Sequence, residues 1–310
     1  MEELIVTEGL TKFFGDIPAL TGLNLTVPKG ISGFIGPNGA GKTTTINILL
    51  GLLKPTEGTA YAFGMDSWSQ SYEIRKRLGV LHEKPAYSGS FTGRRYLEHI
   101  ARLYNVPNAK EKAREILSEV GLTQAGDKSI KTYSAGMTQR LGLAQALVGN
   151  PELAILDEPT ANLDPIGRSE FLEKIKELNH TKGVNFFIST HILPELEKVC
   201  EWVSIINEGK IIDQGTLKDL TDKYSANTYK IQVSKPDLLV ARLVEENIVE
   251  KAWIEGNAVY CKVKDVKKFH ADVPKIVAQL KLELESMQTL RNTLEDIFQI
   301  TVGEKTENEA

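Results

Sequence analysis

The residues Gly36-Pro37-Asn38-Gly39-Ala40-Gly41-Lys42-Thr43 fit the spacing G-x-x-x-x-G-K-[ST]. In that pattern the glycines let backbone N–H groups turn inward around phosphate oxygens, because glycine adopts the required conformations at no steric cost. An apolar run at 31–36 precedes the motif and a segment of helical period at 44–53 follows it, so the positive end of a helix adds to the cradle. Lys42 is then placed to reach β- and γ-phosphates, the Thr43 hydroxyl to bind Mg2+, and Thr44 to add a contact from the first turn. The competing reading is a glycine-rich strand-to-helix turn with a chance Lys-Thr, and the flanking strand and helix speak against it. The chemistry implied is the binding of a nucleoside triphosphate with Mg2+.

A second pattern, Leu153-Ala154-Ile155-Leu156-Asp157-Glu158, is an apolar run ending in two acids. Such a strand delivers its carboxylates to the carboxyl edge of a sheet, where nucleotides bind at a switch point. Asp157 is expected to hold Mg2+ through water, and Glu158 to orient or deprotonate an attacking water. A third segment, Tyr133-Ser134-Ala135-Gly136-Met137-Thr138-Gln139-Arg140, opens a helix that runs to Val148. Ser134 and the Gly136 backbone would cap its N-terminus, which makes a second phosphate-binding surface on the same chain.

With these three motifs in this order, residues 4 to 220 resemble the ATP-binding cassette (ABC) ATPases, whose signature reads LSGGQ-x-QR where this chain has 133–140. The resemblance implies that Phe14 stacks on adenine, that Asp164 ends a D-loop at Ala161-Asn162-Leu163-Asp164, and that Thr190-His191 carries the switch histidine. It implies hydrolysis of ATP to ADP and phosphate in a head-to-tail dimer, in which one subunit's signature closes on its partner's P-loop ATP. It also implies a separate integral membrane permease, with the ATPase on the cytoplasmic face and reaching the membrane only through that partner. The tail pattern Thr293-Leu294-Glu295-Asp296-Ile297-Phe298 resembles ATPase subunits of exporters for drugs, peptides and polysaccharides. Three positions depart from the family: Ala135 and Met137 in the signature, and Glu83 where the Q-loop segment Leu78-Gly79-Val80-Leu81-His82-Glu83-Lys84-Pro85 has a glutamine in the family. That loop normally touches Mg2+, so Glu83 is a candidate metal-contacting residue. Two other readings stand beside this one. A soluble ABC ATPase acting on ribosomes or DNA is disfavoured by the single cassette and the lack of a heptad array. A regulatory module that holds ATP without turnover is disfavoured by Glu158 and His191.

The elements that must position these residues follow from periodicity. Runs at 31–36, 152–157 and 185–189 read as buried strands, and 91–104, 110–120 and 167–178 as amphipathic helices. A hairpin is expected at 203–213, turning at Asn207-Glu208-Gly209. Leu97, Ile100, Leu103 and Tyr104 read as core. The fold class is therefore α/β, a P-loop ABC domain over 1–222 with a helical subdomain at about 85–150. Beyond it, 225–302 reads as a small α+β domain of order βαββαβ, suited to a ferredoxin-like sandwich. Its last helix is expected at 293–301 with Thr293 as cap, and 303–310 as a polar, frayed end.

Composition sets the outer limits. The chain has 310 residues, 41% hydrophobic and 25% charged, which suits about two globular domains and excludes a disordered chain. Lys+Arg 37 against Asp+Glu 41 gives a net charge of −4, poor footing for a dedicated nucleic-acid binder. No apolar run approaches the roughly 18 residues of a spanning helix. Cys200 and Cys261 form no disulfide framework, so a reduced, cytoplasmic setting is expected. His82, His99, His180 and His270 form no ligand spacing, leaving Mg2+ as the only metal expected.

Overall fold

Strands whose residues are apolar throughout have to be covered on both faces, and this places them at the centre of a parallel sheet. The computed structural model describes residues 2–298 apart from 88, 226, 290–292 and 296. The chain opens with β1 (Glu3–Phe14), β2 (Ile17–Leu23) and β3 (Thr26–Pro28), followed by the fully buried β4 (Ile31–Ile35) and α1 (Lys42–Leu49). β5 (Glu57–Ala62) and β6 (Met65–Asp66) precede α2 (Ser71–Arg77) and β7 (Leu78–Leu81). Three helices come next, α3 (Gly93–Leu103), α4 (Ala109–Glu119) and α5 (Ala135–Leu147). The rest of the first unit is β8 (Leu153–Asp157), α6 (Pro165–Lys182), β9 (Asn185–Thr190), α7 (Leu193–Leu196), β10 (Trp202–Asn207) and β11 (Lys210–Thr216).

A six-stranded sheet of order β11-β10-β4-β9-β8-β7 forms the centre, parallel except for the β10–β11 pair. That pair is the hairpin expected at 203–213; Asn207 faces Lys210, and Glu208 and Gly209 both have positive φ, as a two-residue primed turn requires. A second, antiparallel sheet of β2, β1, β5 and β6, with β3 on β1, has no counterpart in the sequence reading. Its residues Ile5, Leu10, Leu20, Leu23 and Val27 share one core with Phe34, Ile46 and Phe187, so the two sheets and α1 pack as layers. In α3, Leu97 is buried as expected, but Leu103 and Tyr104 are exposed, contrary to their reading as core. Leu103 faces solvent, whereas Tyr104, the residue that ends the helix, is only partly exposed and still lies against Gly149, where a Cβ would stand 2.9 Å from its ring.

The chain divides into two compact units, one of Met1–Leu217 with Phe298–Ala310 and one of Lys218–Ile297, the boundary falling after the first residue of α8. The second contains α8 (Leu217–Ser225), β12 (Thr228–Val233), α9 (Pro236–Glu245), β13 (Val249–Glu255), β14 (Ala258–Val263), α10 (Val266–Gln279) and β15 (Leu284–Thr289). Its four strands run β13-β14-β12-β15, antiparallel at every pairing. Alternation explains the arrangement: Tyr229, Ile231 and Val233 of β12 and Val259, Cys261 and Val263 of β14 point to one face, over Leu239, Leu243, Phe269 and Val273 of the helices. Of the helix expected at 293–301, residues 294, 295, 297 and 298 are helical and Ile297 N–H donates to the Thr293 carbonyl at 2.9 Å, while 296, 299–301 and the end at 303–310 lie outside the described residues.

Both cysteines are free and buried. Burial pushes the Cys261 thiol up to about 12 and raises that of Cys200, so neither is a nucleophile at neutral pH. Among the described residues no helix is long and apolar enough to cross a membrane.

Candidate active site

Strand register brings the motifs together. Ile35 of β4 pairs with Thr190 of β9, and Asp157 of β8 pairs with Ser189 of β9. The loop after β4, the acid pair after β8 and His191 after β9 therefore leave the sheet at one carboxyl edge. The loop enters by close approach: a Cβ on Gly36 would stand 2.4 Å from the carbonyl oxygen of Ile206. It closes onto α1 through Gly41, the N-cap, with φ 105 and its Cβ position 2.8 Å from the Ala19 carbonyl of β2. Gly209 N–H, from the β10–β11 turn, donates to the Ala40 carbonyl at 3.0 Å and holds the loop from behind. Asn38 and Gly39 are the exposed apex, Thr43 is exposed and Thr44 half-buried.

Lys42 is buried, and its ammonium donates to the carbonyls of Gly36 at 2.7 Å and Pro37 at 3.2 Å. The same nitrogen is 3.2 Å from Glu158 Oε1, an oxygen with no hydrogen-bond partner of its own and only this ion pair to balance it. Glu158 Oε2 lies 2.9 Å from His191 Nδ1. Glu158 is buried at φ 48, a left-handed conformation that is costly for a residue with a Cβ, and it turns the side chain back across the sheet edge toward Lys42. Asp157 is also buried; its Oδ2 accepts from the Thr43 hydroxyl at 3.1 Å and its Oδ1 accepts from the Ser189 hydroxyl. Lys42, Thr43, Asp157, Glu158 and His191 are thus one connected cluster, and Ser189 belongs to it although no motif pointed to it. Its only signal in the sequence is a polar residue at the end of the apolar strand Phe186-Phe187-Ile188.

The donor set suits a hard cation bound mainly by a ligand's phosphates. One hydroxyl and one carboxylate oxygen converge, while no cluster of three His, Cys, Asp or Glu capable of holding a metal exists among the described residues.

Ser134 and Asp164 lie at a second place. Ser134 caps α5, accepting from Met137 N–H at 3.3 Å, and Asp164 caps α6, accepting from Gly167 N–H at 3.2 Å with Pro165 in the first turn. Both caps, with Gly136 and Asn162, line an open cleft of about 610 Å³. A Cβ on Gly136 would meet only Leu163, so the helix end faces open space. Arg140 of α5 and Glu170 of α6 also line this cleft and pair at 2.5 Å across it.

Two predicted residues stand apart from both places. Phe14 ends β1 at the tip of the hairpin with β2, half exposed, with the Lys12 ammonium 5.4 Å from its ring centre. Glu83 lies just past β7 at the same sheet edge as the acids, but its carboxylate pairs with the Lys84 ammonium at 3.4 Å.

Comparison with known proteins bears on this geometry. The family described as ABC transporter matches residues 20–161. The bacitracin transport ATP-binding protein BcrA of Bacillus licheniformis is 43% identical over 215 residues, 69% of this chain and 70% of that protein. The daunorubicin/doxorubicin resistance ATP-binding protein DrrA of Streptomyces peucetius is 31% identical across 96% of this chain and 92% of its own length. Among solved structures, the ADP conformation of an ATP-binding cassette of an ABC transporter superimposes with a TM-score of 0.63 at 26% identity, covering 71% of this chain and 93% of that one.

Proposed function

Since the chain belongs to the ABC transporter family as an ATP-binding subunit that hydrolyses ATP to ADP and phosphate, we propose that Lys42, Glu158 and His191 carry that hydrolysis. The observation behind this reading is the Lys42–Glu158–His191 chain, with Glu158 Oε1 at 3.2 Å from Lys42 and Oε2 at 2.9 Å from His191. Triphosphate oxygens compete for the Lys42 ammonium and the loop N–H groups of residues 36–44. As Lys42 turns to the phosphates, Glu158 Oε1 loses its ion-pair partner and becomes the acceptor for a proton of the attacking water. His191 fixes the other carboxylate oxygen and is assigned to contact the γ-phosphate. Phe14, half exposed at the tip of the β1–β2 hairpin, is assigned as the platform for adenine. Thr43 and Asp157 would hold Mg2+, which supplies charge neutralisation for the phosphates. Glu83 would join them only by leaving Lys84.

The second surface, Ser134, Gly136 and Asp164, has no phosphate-binding loop of its own and serves the ATP of a second subunit, most simply another copy of this chain. Residues 1–222 are assigned as the ATP-binding domain and 225–302 as an accessory domain whose strand order and antiparallel pairing suit a ferredoxin-like sandwich. The full-length similarity to a drug-resistance protein and the identity to a bacitracin transport protein favour export through a separate membrane permease, with this chain on its cytoplasmic face.

Glu158→Gln tests the assignment. The shape is kept and the proton acceptor removed, so phosphate release should fall by about 10²- to 10⁴-fold while ATP stays bound. Size-exclusion chromatography with ATP should show the variant as a dimer. A monomeric variant releasing phosphate at the wild-type rate rejects the catalytic role.

A further inference from the structure

Ser189 lies between the two acids and belongs to none of the motifs. It is fully buried on β9, in register with Asp157. Its hydroxyl donates to Asp157 Oδ1 and accepts from Glu158 N–H at 3.3 Å, and its carbonyl accepts from the same N–H at 3.0 Å. On the assignment of Asp157 and Thr43 to Mg2+ made above, we infer that Ser189 is a positioning residue for the acid pair. It fixes the plane of the Asp157 carboxylate, and it anchors the left-handed turn at Glu158.

A carboxylate as buried as Asp157 needs a donor for each oxygen. Thr43 serves Oδ2 and Ser189 serves Oδ1, so the two donors together select one orientation about the Cβ–Cγ bond. With alanine at 189, Oδ1 has lost its donor, both oxygens compete for Thr43, and the carboxylate is free to turn. Glu158 is affected less, because the carbonyl of residue 189 still accepts from its N–H whatever the side chain. Loss of the hydroxyl should therefore be felt at the metal before it is felt at the water-activating step. Groups that orient a metal ligand in this way commonly change metal affinity by about 10- to 100-fold.

The test measures metal binding directly, with Mn2+ as the probe. Free Mn2+ is followed by electron paramagnetic resonance while it is titrated into full-length protein with ATP, for wild type, Ser189→Ala and Ser189→Thr. Ser189→Ala should bind Mn2+ about ten-fold more weakly in the presence of ATP, with metal-free ATP affinity within about two-fold of wild type. Ser189→Thr returns a hydroxyl to the same Cβ and should recover most of the loss. Ser189→Cys replaces the hydroxyl by a larger and weaker donor and should fall between alanine and wild type. Unchanged Mn2+ affinity in Ser189→Ala overturns the inference, as does a loss of metal-free ATP affinity equal to the loss of Mn2+ affinity, the pattern of a merely damaged loop. If wild-type protein shows no ATP-dependent Mn2+ binding at all, the assignment of Thr43 and Asp157 fails, and this is seen before any variant is compared.

Discussion

The N-terminus of α1 and the N-termini of α5 and α6, proposed above as surfaces for phosphate, are capped in opposite ways. The first is capped by a glycine at φ 105 with no side-chain cap, so its leading N–H groups are not taken by its own chain, and a buried lysine stands beside them. The others are capped by their own side chains, Ser134 and Asp164, each of which already takes one N–H. The cation in their cleft, Arg140, is paired with Glu170. Lys42 is paired as well, with Glu158 at 3.2 Å, so what sets the first end apart is its uncapped N–H groups beside a lysine that an incoming anion would have to draw from Glu158. The second offers a cap hydroxyl and a helix dipole, worth only a fraction of a kcal/mol to about 2 kcal/mol, which adds to a ligand held elsewhere but does not recruit one. On the proposed assignment, this asymmetry would let one chain carry two phosphate-facing surfaces without requiring two nucleotides.

The largest effect that this contrast predicts is at Lys42. Lys42→Ala removes charge-assisted bonds worth about 1.5–3 kcal/mol each, so ATP affinity measured by calorimetry should fall by about two orders of magnitude. Retained affinity would mean that the glycine loop alone suffices.

A more discriminating effect is expected from Ser134→Ala. Loss of the cap costs about 1 kcal/mol of helix stability, yet ATP affinity of the isolated chain should stay within about two-fold, because the residue does not face its own nucleotide. Turnover should still fall. Mixing Ser134→Ala with Lys42→Ala should then restore part of the lost activity, since one of the two composite sites in a mixed dimer receives an intact Lys42 and an intact Ser134. No recovery on mixing, or a loss of ATP affinity in Ser134→Ala like that in Lys42→Ala, would collapse the distinction between the two surfaces.

The smallest effect belongs to the Arg140–Glu170 pair, whose side chains are 34% and 55% exposed. Arg140→Ala should cost no more than about 1 kcal/mol in a denaturant titration, with the difference shrinking in high salt. A larger loss that persists in salt would show that the cleft depends on this pair for its shape.

Motifs that act through neighbouring residues were legible in the sequence. The phosphate loop, the acid-ended strand and the serine cap are each encoded within ten residues, because a backbone conformation and a helix end are local properties. The parallel strands were readable for the same reason, since each carries a short apolar run, such as Leu153-Ala154-Ile155-Leu156 and Phe186-Phe187-Ile188. The antiparallel sheet was not: β1 mixes buried Leu4, Ile5 and Leu10 with charged Glu3, Glu8 and Lys12, which masked the two-residue Gly15-Asp16 turn into β2, and its pairing with β3 and β5 forms over longer separations that no turn signal marks. The exposure of Leu103 and Tyr104 is likewise a matter of what packs against α3, which periodicity does not contain.

The sequence by itself therefore determined which residues can do chemistry and the short elements that bear them. The tertiary structure decided which of those residues meet. Lys42 and Glu158 pair across 116 positions of chain, and Ser189 reaches Asp157 only because β8 and β9 lie side by side in one register. Register is fixed by the burial of whole strand faces, since a slip of one residue would turn every apolar side chain outward. A single hydroxyl such as that of Ser189 adds too little to set the register, and its position follows from it.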